Sequence, residues 1–554
     1  MRLAALVLAL AAAQAPALEK TEKVTVRVDA TSTMGPFRPV WAFFGYDEPN
    51  YTYAPNGRKL LGELAALSPT PVYIRAHNLL TSGDGTPALK WGSTNVYTKA
   101  SAGGPIYDWT IVDRIFDTWH AAKLRPLVEI GFMPEALSTH PEPYRHTWPK
   151  GSLATGWAYP PNDYQAWAEL IFKWVRHEVE RYGEEEVASW YWEVWNEPDG
   201  AYWLASPEEY HKLYDFTADA VKRAFPAARV GGPHSTGPSG EKAAAFLRAF
   251  LEHCVRGTNY ATGKTGVPLD YIGFHAKGSP RLVDGRVQMG IRKQLQDVAH
   301  GFEIVASFPE LRNKPVIIGE SDPEGCAACS AKTNPQNAYR NGALYACYTA
   351  AALHGILDLA ETRAVNLAGV VTWAFEFEDQ PWFEGFRSLA TNGVDKPVLN
   401  LFRMLGMMTG QRLRADSSGA LGFDSMLRDG VREQPDIGAM ASRGERSVSV
   451  LLWNYHDDDL PAPDADIELE VAGLPAGGRV EVRHYRIDST HSNAYTVWKE
   501  MGSPQRPSPE QLARLASAAQ LESLEPPRRL PDNGPAAVEF RLPRQAVSLV
   551  QLAW

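Results

Sequence analysis

A chain of 554 residues is too long for one hydrophobic core, so two or more domains are expected. Its formal net charge of −10, with no basic stripe anywhere along the sequence, argues against nucleic acid as a partner. Most of the 17 Trp and 22 Tyr belong in cores, and the remainder suit a cleft whose ligand presents C–H-rich faces, as sugar rings do.

In chain order, the first feature is an address. Met1-Arg2 supplies a positive start, residues 3–13 an apolar run and Ala15-Pro16-Ala17 a small-x-small cleavage pattern, so 1–17 reads as a secretory signal. The run is too short to anchor in a bilayer, and no later segment reads as a membrane span. A secreted or periplasmic enzyme is expected. Residues 18–38 contain the alternating stretch 23–28, which is expected to lend a strand to a later sheet.

Eight apolar runs follow, at 40–44, 72–74, 126–130, 189–195, 229–232, 271–274, 316–318 and 368–373. Amphipathic stretches separate most of them, for example 164–181, 207–224 and 242–254. This alternation predicts a (β/α)8 TIM barrel over 39–402. From 403 to 554 the pattern turns to alternating strands (447–453, 467–471, 479–486, 538–542) between Gly- and Pro-rich turns, which predicts an accessory β-sandwich with one late helix at 512–524.

Two strand ends carry the chemistry. The run Tyr191-Trp192-Glu193-Val194-Trp195 breaks at Asn196-Glu197-Pro198, because Pro198 has no amide hydrogen to continue the ladder. Glu197 is thereby left at the carboxyl end of a buried strand. A cup formed by Trp192, Trp195 and Trp203 would raise its pKa and suit it to protonate a glycosidic oxygen. An isolated Asn-Glu-Pro fits an ordinary strand end equally well; a second glutamate, placed the same way, favours chemistry. In Pro315-Val316-Ile317-Ile318-Gly319-Glu320 a carboxylate again follows a short apolar strand directly.

Two such glutamates are what a retaining glycosidase requires: Glu197 as acid/base and Glu320 as nucleophile. They follow the fourth and seventh strands, whose ends face each other across a closed barrel's mouth. Asp322 and Glu324 are rival acids that read as loop or cap residues beyond the strand. Acid, nucleophile and water suffice for the reaction, so no metal or organic cofactor is implied. Of the four cysteines, Cys326 and Cys329 can close a tight bridge in an oxidising compartment, although free or singly paired thiols are the favoured reading, with Cys254 and Cys347 making up the set. No further zinc ligands lie at matching spacing.

At this point the residues resemble a family, glycoside hydrolase family 39, over nearly the whole mature chain. Tyr107-Asp108-Trp109 followed by Val128-Glu129-Ile130-Gly131-Phe132-Met133-Pro134-Glu135-Ala136 is similar to its third-strand signature, and Trp195-Asn196-Glu197-Pro198 to its acid/base motif. The resemblance implies Glu197 as acid/base, Glu320 as nucleophile and Asn196 as a donor to the sugar's 2-hydroxyl, a bond that strengthens in the transition state.

Other residues are placed by type. His77 and His275 follow the second and sixth strands and are candidate hydroxyl partners; a backbone-satisfied core histidine is the competing reading for His77. Phe44, Trp373 and Trp382 are candidate platforms. Asp379, in Glu376-Phe377-Glu378-Asp379, is a candidate for holding terminal hydroxyls, or else part of a solvated lip. Glu129 either faces the mouth or serves the loop around Gly131 and Pro134.

The segment from Glu378 to Phe386 resembles the family's xylosidases, whereas Asp270-Tyr271-Ile272-Gly273-Phe274-His275-Ala276-Lys277-Gly278 resembles its α-L-iduronidases, where a lysine meets a uronate carboxylate. In a xylosidase Lys277 would have to pair with a protein acid, Glu320 or Asp379, or bind a hydroxyl at the cleft's wet edge. The expected activity is a β-xylosidase acting on small xylo-oligosaccharides, the alternatives being an iduronidase-like uronidase and, less favoured, an arabinosidase or endo-xylanase. The long 79–102 segment favours a blind pocket over an open groove. A sugar-binding scaffold would have no need of two strand-end glutamates.

Overall fold

The computed structural model describes residues 23–145, 156–475, 479–531 and 536–554; the expected signal segment lies outside them. Eight parallel strands close a barrel in chain order: Phe43–Tyr46, Tyr73–Ala76, Arg125–Ile130, Tyr191–Val194, Arg229–Ser235, Tyr271–Lys277, Val316–Asp322 and Leu367–Trp373. The last pairs with the first, Trp373 opposite Gly45. The second, sixth and seventh strands continue beyond their expected ends, because the ladder runs on into the polar residues of the mouth after the apolar run has stopped. Asp322 is therefore the final residue of its strand and not a loop residue.

Helices on the outside are set by their caps. Asp163 accepts from the amides of Gln165 and Ala166 to open Tyr164–Tyr182, and Ser206 accepts from Glu209 ahead of Pro207–Ala224. Helix Ala343–Thr362 has the length and apolarity of a membrane span, contrary to the sequence reading. Its 72% burial explains the composition, since it packs both on the barrel's helix layer and on the accessory sheet.

The accessory region is one ten-stranded sheet that curls until its two halves share an aliphatic core. Strand Lys23–Pro36 enters it between Gln411–Ser417 and Ala465–Ala472, antiparallel to the first and parallel to the second. Helix Pro397–Gly406 spans the expected boundary at 402. The expected late helix is Pro509–Ala518, closed by a Ser508/Gln511 capping box, and two shorter helices, Phe423–Asp429 and Ala494–Glu500, join it.

Inside the barrel, alternate residues point inward. Phe43, Tyr73, Tyr191 and Tyr271 form an aromatic floor, with successive ring centroids 4.6, 5.4 and 5.0 Å apart. Two residues further along the second and fourth strands, the same parity presents Arg75 and Glu193, and the third strand adds Glu129, Glu193's neighbour in register. A charged layer thus sits on an aromatic one, directly under the mouth.

Candidate active site

The fourth strand ends at Val194, and the next residues turn sharply: Trp195 and Glu197 take φ values of +71° and +43°. The amide of Glu197 donates to the carbonyl of His234, which ties the turn to the fifth strand. Glu197 Oε1 is 2.8 Å from His275 Nδ1, on the sixth strand, and the same nitrogen is 3.8 Å from Glu320 Oε1. One ligating atom from each of Glu197, His275 and Glu320 lies within 4.8 Å of the other two. Such a trio has the donor set of a cation site, but the Lys277 ammonium already pairs with Glu320.

The tryptophan cup expected around Glu197 is not what the fold builds. Trp192 points outward and packs edge-on against Trp174 of the helix layer, while Trp195 and Trp203 pack on each other, 5.3 Å between centroids. The strand's parity explains this: Tyr191 and Glu193 face inward, so Trp192 cannot. The ring in hydrogen-bond reach of Glu197 is the His275 imidazole.

Glu320 is held by cations. Lys277 pairs with it, Arg75 Nη1 lies 3.2 Å away and His77 Nε2 3.5 Å. Burial alone would push this carboxyl up, but Lys277, His275, His77 and Arg75 together hold it well below the ordinary carboxylate range. Of the partners expected for Lys277 the structure selects Glu320, with Asp322 second at 3.6 Å. Asp379 is exposed on its loop.

Arg75 organises the layer beneath. It forks onto Glu193, Nε to Oε2 at 2.7 Å and Nη2 to Oε1 at 2.5 Å, and donates to Asn196 Oδ1 at 2.9 Å. Glu129 Oε2 is 3.2 Å from both Arg75 and His77. Glu129 therefore belongs to the site's floor. Burial raises its carboxyl to about 8 against the pull of His77 and Arg75. Burial also disfavours the His77 imidazolium, yet Glu129 and Asp47 outweigh it and bring His77 up to about 10. Asp47, 2.8 Å from His77 Nδ1, also pairs with Lys90 from the 79–102 segment, which brings that segment to the site's edge.

Trp373 stands at the same wall, its ring 4.7 Å from the Arg75 guanidinium carbon and 4.4 Å from the His77 ring. Asn196 turns Oδ1 to Arg75, and its Nδ2 has no partner among the described residues. Two expected platforms are elsewhere. Phe44 points away from the barrel axis and meets Phe402 edge-on at 4.8 Å, one residue out of phase with inward Phe43. Trp382 packs into a cluster with Phe383, Trp498 and Leu515 at the accessory seam. The rival acid Glu324 is bound to Arg340 at 2.6 Å and Arg387 at 3.2 Å. Cys326 and Cys329 are joined as a disulfide, the bridge the sequence allows, and Cys254 and Cys347 are free and buried.

Arg75, Glu193, Asp47 and His234 were not singled out as site residues from sequence. The first two were detectable: a charged residue at the inward parity of a short buried strand has no place in an apolar core unless it is paired.

The model of the glycosyl hydrolases family 39 matches residues 24–536. The chain belongs to that family. It is 29% identical over 498 residues to a β-xylosidase of Geobacillus stearothermophilus, covering 87% of this chain and 86% of that one. It is 24% identical over 563 residues to the α-L-iduronidase of Mus musculus, covering 95% and 80%. Among solved structures, a monomeric β-xylosidase from Caulobacter crescentus CB15 superposes with a TM-score of 0.74 at 22% identity, over 96% of this chain and 99% of that one. A bacterial orthologue of human α-L-iduronidase gives 0.76 at 21% identity, over 96% and 84%. This family 39 chain is a glycosidase, and both activities occur among its relatives.

Proposed function

We propose that this family 39 glycosidase is a retaining, exo-acting β-xylosidase that takes xylose from the non-reducing end of small xylo-oligosaccharides. Glu320 attacks the anomeric carbon while Glu197 gives its proton to the departing glycosidic oxygen, leaving a glycosyl ester on Glu320. Glu197, now a carboxylate, takes a proton from water as that water displaces the ester, and xylose leaves with its configuration kept. The close approach of the two carboxylates supports this route. Retaining pairs stand about 5–5.5 Å apart, whereas inverting pairs leave roughly 6.5–9.5 Å for a water.

The observation that carries the xyloside reading is the commitment of Lys277 to Glu320 and Asp322. An ammonium already balanced by protein carboxylates leaves this wall suited to a neutral ring. The uronidase reading has one observation of its own: the Lys277 side chain keeps 19% exposure, so a substrate carboxylate would replace the looser Asp322 contact. The unpartnered Nδ2 of Asn196 supports a bond to the 2-hydroxyl, Trp373 supports an aromatic wall, and the Asp47–Lys90 pair supports a closed pocket. The same reading takes 1–17 as a secretory signal and the enzyme as secreted or periplasmic, and the Cys326–Cys329 bridge supports an oxidising compartment.

A panel of aryl xyloside, arabinoside, glucoside and iduronide tests the substrate. Xyloside is expected to be cleaved fastest; iduronide exceeding it would overturn the substrate while leaving the glutamates in place. Product NMR tests the stereochemistry, and first appearance of the inverted anomer would overturn retention. Glu320→Ala is expected to lose at least about 10⁴-fold on every xyloside. Glu197→Ala is expected to lose about 10²–10⁴-fold on poor leaving groups and far less on activated ones.

A further inference from the structure

The connection from the sixth barrel strand to helix Ile291–Ala306 runs over the barrel's mouth face, where strand ends and helix starts meet. Between this connection and the accessory region lies a cleft of about 390 Å³. Its walls bring together Arg281 of a short hairpin, Arg292 and Lys293 of the helix's first turn, and Arg432 of the accessory region. Four cations gathered from separate segments make a basic cleft on a chain whose net charge is −10. No linear pattern in the sequence shows it.

The charges in this cleft are not balanced alike. The acids are occupied: Asp457 is buried and accepts from the amides of Val431 and Ile291 and from the Tyr455 hydroxyl, while Asp429 pairs with Arg428 at 2.8 Å. Lys293 pairs with Asp297 at 2.6 Å, and Arg432 with Asp458 at 3.0 Å. Arg281 and Arg292 are in no ion pair among the described residues. Arg281 donates to the amide oxygen of Gln288 at 3.1 Å and Arg292 to the carbonyl of Arg428 at 2.9 Å, both neutral acceptors. A guanidinium has five N–H donors, so most of each fork is left for a further acceptor, and a carboxylate matches its geometry. The cleft is also tied to the candidate active site. Asp297 Oδ2, which pairs with Lys293, accepts at 3.3 Å from the amide of Lys277, whose ammonium holds Glu320. Ser279, two residues beyond Lys277, lines the cleft.

We propose that this cleft is an anion subsite for the substrate. It holds the carboxylate of an acidic sugar carried farther along the oligosaccharide whose terminal, neutral ring sits at Glu320. The proposal rests on the xylosidase reading and deepens it by adding an acidic branch to the substrate. At the nucleophile the cation Lys277 is committed to protein carboxylates, whereas in the cleft Arg281 and Arg292 are not. A neutral ring followed by an acidic neighbour fits the two walls in that order. An acidic saccharide approaching a chain of net charge −10 is repelled over most of its surface, and the cleft supplies a local attraction. No bond is made or broken there; Glu197 and Glu320 still cleave the terminal linkage.

The test compares two xylo-oligosaccharides of equal length, one neutral and one bearing a single uronic acid on an internal xylose. In wild type the acidic one is expected to show the higher kcat/KM, mainly through a lower KM, with an advantage that shrinks as salt is raised. The double variant Arg281→Gln/Arg292→Gln is expected to lose about tenfold on the acidic substrate and to keep wild-type kcat/KM on the neutral one. Arg281→Lys/Arg292→Lys should recover part of that loss, since it keeps the charge without the fork. No acidic advantage in wild type, or equal losses on both substrates, overturns the proposal. Should the double variant fail to fold, Arg281→Gln on the exposed hairpin gives the same comparison. Inorganic phosphate at constant ionic strength should erase part of the acidic advantage and leave the neutral substrate alone. Phosphate that binds by calorimetry while both substrates are cleaved alike would make this a free-anion site and overturn the substrate assignment. A failure of the xylosidase reading would look different, with neither oligosaccharide cleaved. Calorimetry with the acidic oligosaccharide then decides: binding should fall in the double variant, and undiminished binding overturns the subsite as well.

Discussion

In the accessory sheet the inward positions are aliphatic: Val24, Val26 and Val28 of the amino-terminal strand meet Leu413, Ile437, Val450 and Leu469. At comparable depth the barrel holds Arg75, Glu129, Glu193 and His234, all fully buried or nearly so. Burying a Val or Leu side chain contributes about 1.5–3 kcal/mol, whereas a buried ion pair barely recovers its own desolvation. The sheet's core is therefore stabilising material. The barrel's charged layer adds little net stability and instead surrounds Glu320, with Arg75 3.2 Å and His77 3.5 Å from it.

Two substitutions break that comparison most directly. Arg75→Met should destabilise by about 3–5 kcal/mol, since it strands Glu193 without its cation and leaves Glu129 with His77 alone, and it should also collapse turnover. Leu469→Ala should destabilise by about 2–5 kcal/mol through its cavity, yet leave turnover per folded molecule nearly unchanged. Denaturant unfolding alongside active-site-normalised kinetics measures both. A comparable loss of turnover in Leu469→Ala would show that the two cores are not separable in this way.

The acid side of stability sharpens it next. Burial would raise the Glu324 carboxyl, but Arg340 and Arg387 override that and bring it from 4.5 to about 2. A carboxylate whose folded pKa is depressed contributes its stability above the unfolded value. Here about 3 kcal/mol should be present above roughly pH 4.5 and lost as the pH falls to about 2. Glu324→Gln should lower stability at neutral pH and flatten that acid limb. An unaltered limb, followed by thermal unfolding between those pH values, would remove Glu324 from the account.

Legibility in the sequence follows the same divide. Aliphatic and aromatic runs announce barrel and sheet through period and spacing, and Glu197 and Glu320 are visible because an apolar run stops beside each. What escapes is anything that depends on partnership across strands. Arg75 and Glu193 are 118 residues apart in sequence and joined in space by a fork. Parity was the available correction: one residue decides that Phe43 faces in and Phe44 out, that Tyr191 faces in and Trp192 out. Trp382 escaped for a different reason, since its environment is a seam between two regions that no local pattern describes.

A smaller effect concerns Lys277. Removing its ammonium in Lys277→Met takes from Glu320 the strongest of the charges that depress it. The acid limb of the xyloside pH–kcat/KM profile should move to higher pH, because more of the nucleophile is protonated at a given pH. Turnover at the optimum should fall by about 10–100-fold, equivalent to roughly 1–3 kcal/mol for a charge-assisted bond. An acid limb that stays in place would mean that Arg75, His77 and His275 suffice to hold Glu320.

The smallest effect is expected at Asp379, the one candidate binding residue that the fold leaves exposed on a loop. Its φ of +56° is a left-handed conformation that costs a non-glycine residue roughly 1 kcal/mol, and aspartate tolerates it better than most. Asp379→Gly removes that local strain but returns freedom to the unfolded chain, about 0.4–1 kcal/mol in the opposite sense. The two terms nearly cancel, so stability should stay within about 0.5 kcal/mol of wild type. Since the side chain is exposed and the ion pairs of Arg75, His77 and Lys277 are made with other carboxylates, kcat/KM on an aryl xyloside should change little. A tenfold loss with unaltered stability would mean that this loop closes over bound sugar and that Asp379 holds its hydroxyls. The pocket would then owe part of its specificity to the exposed rim as well as to the charged layer beneath.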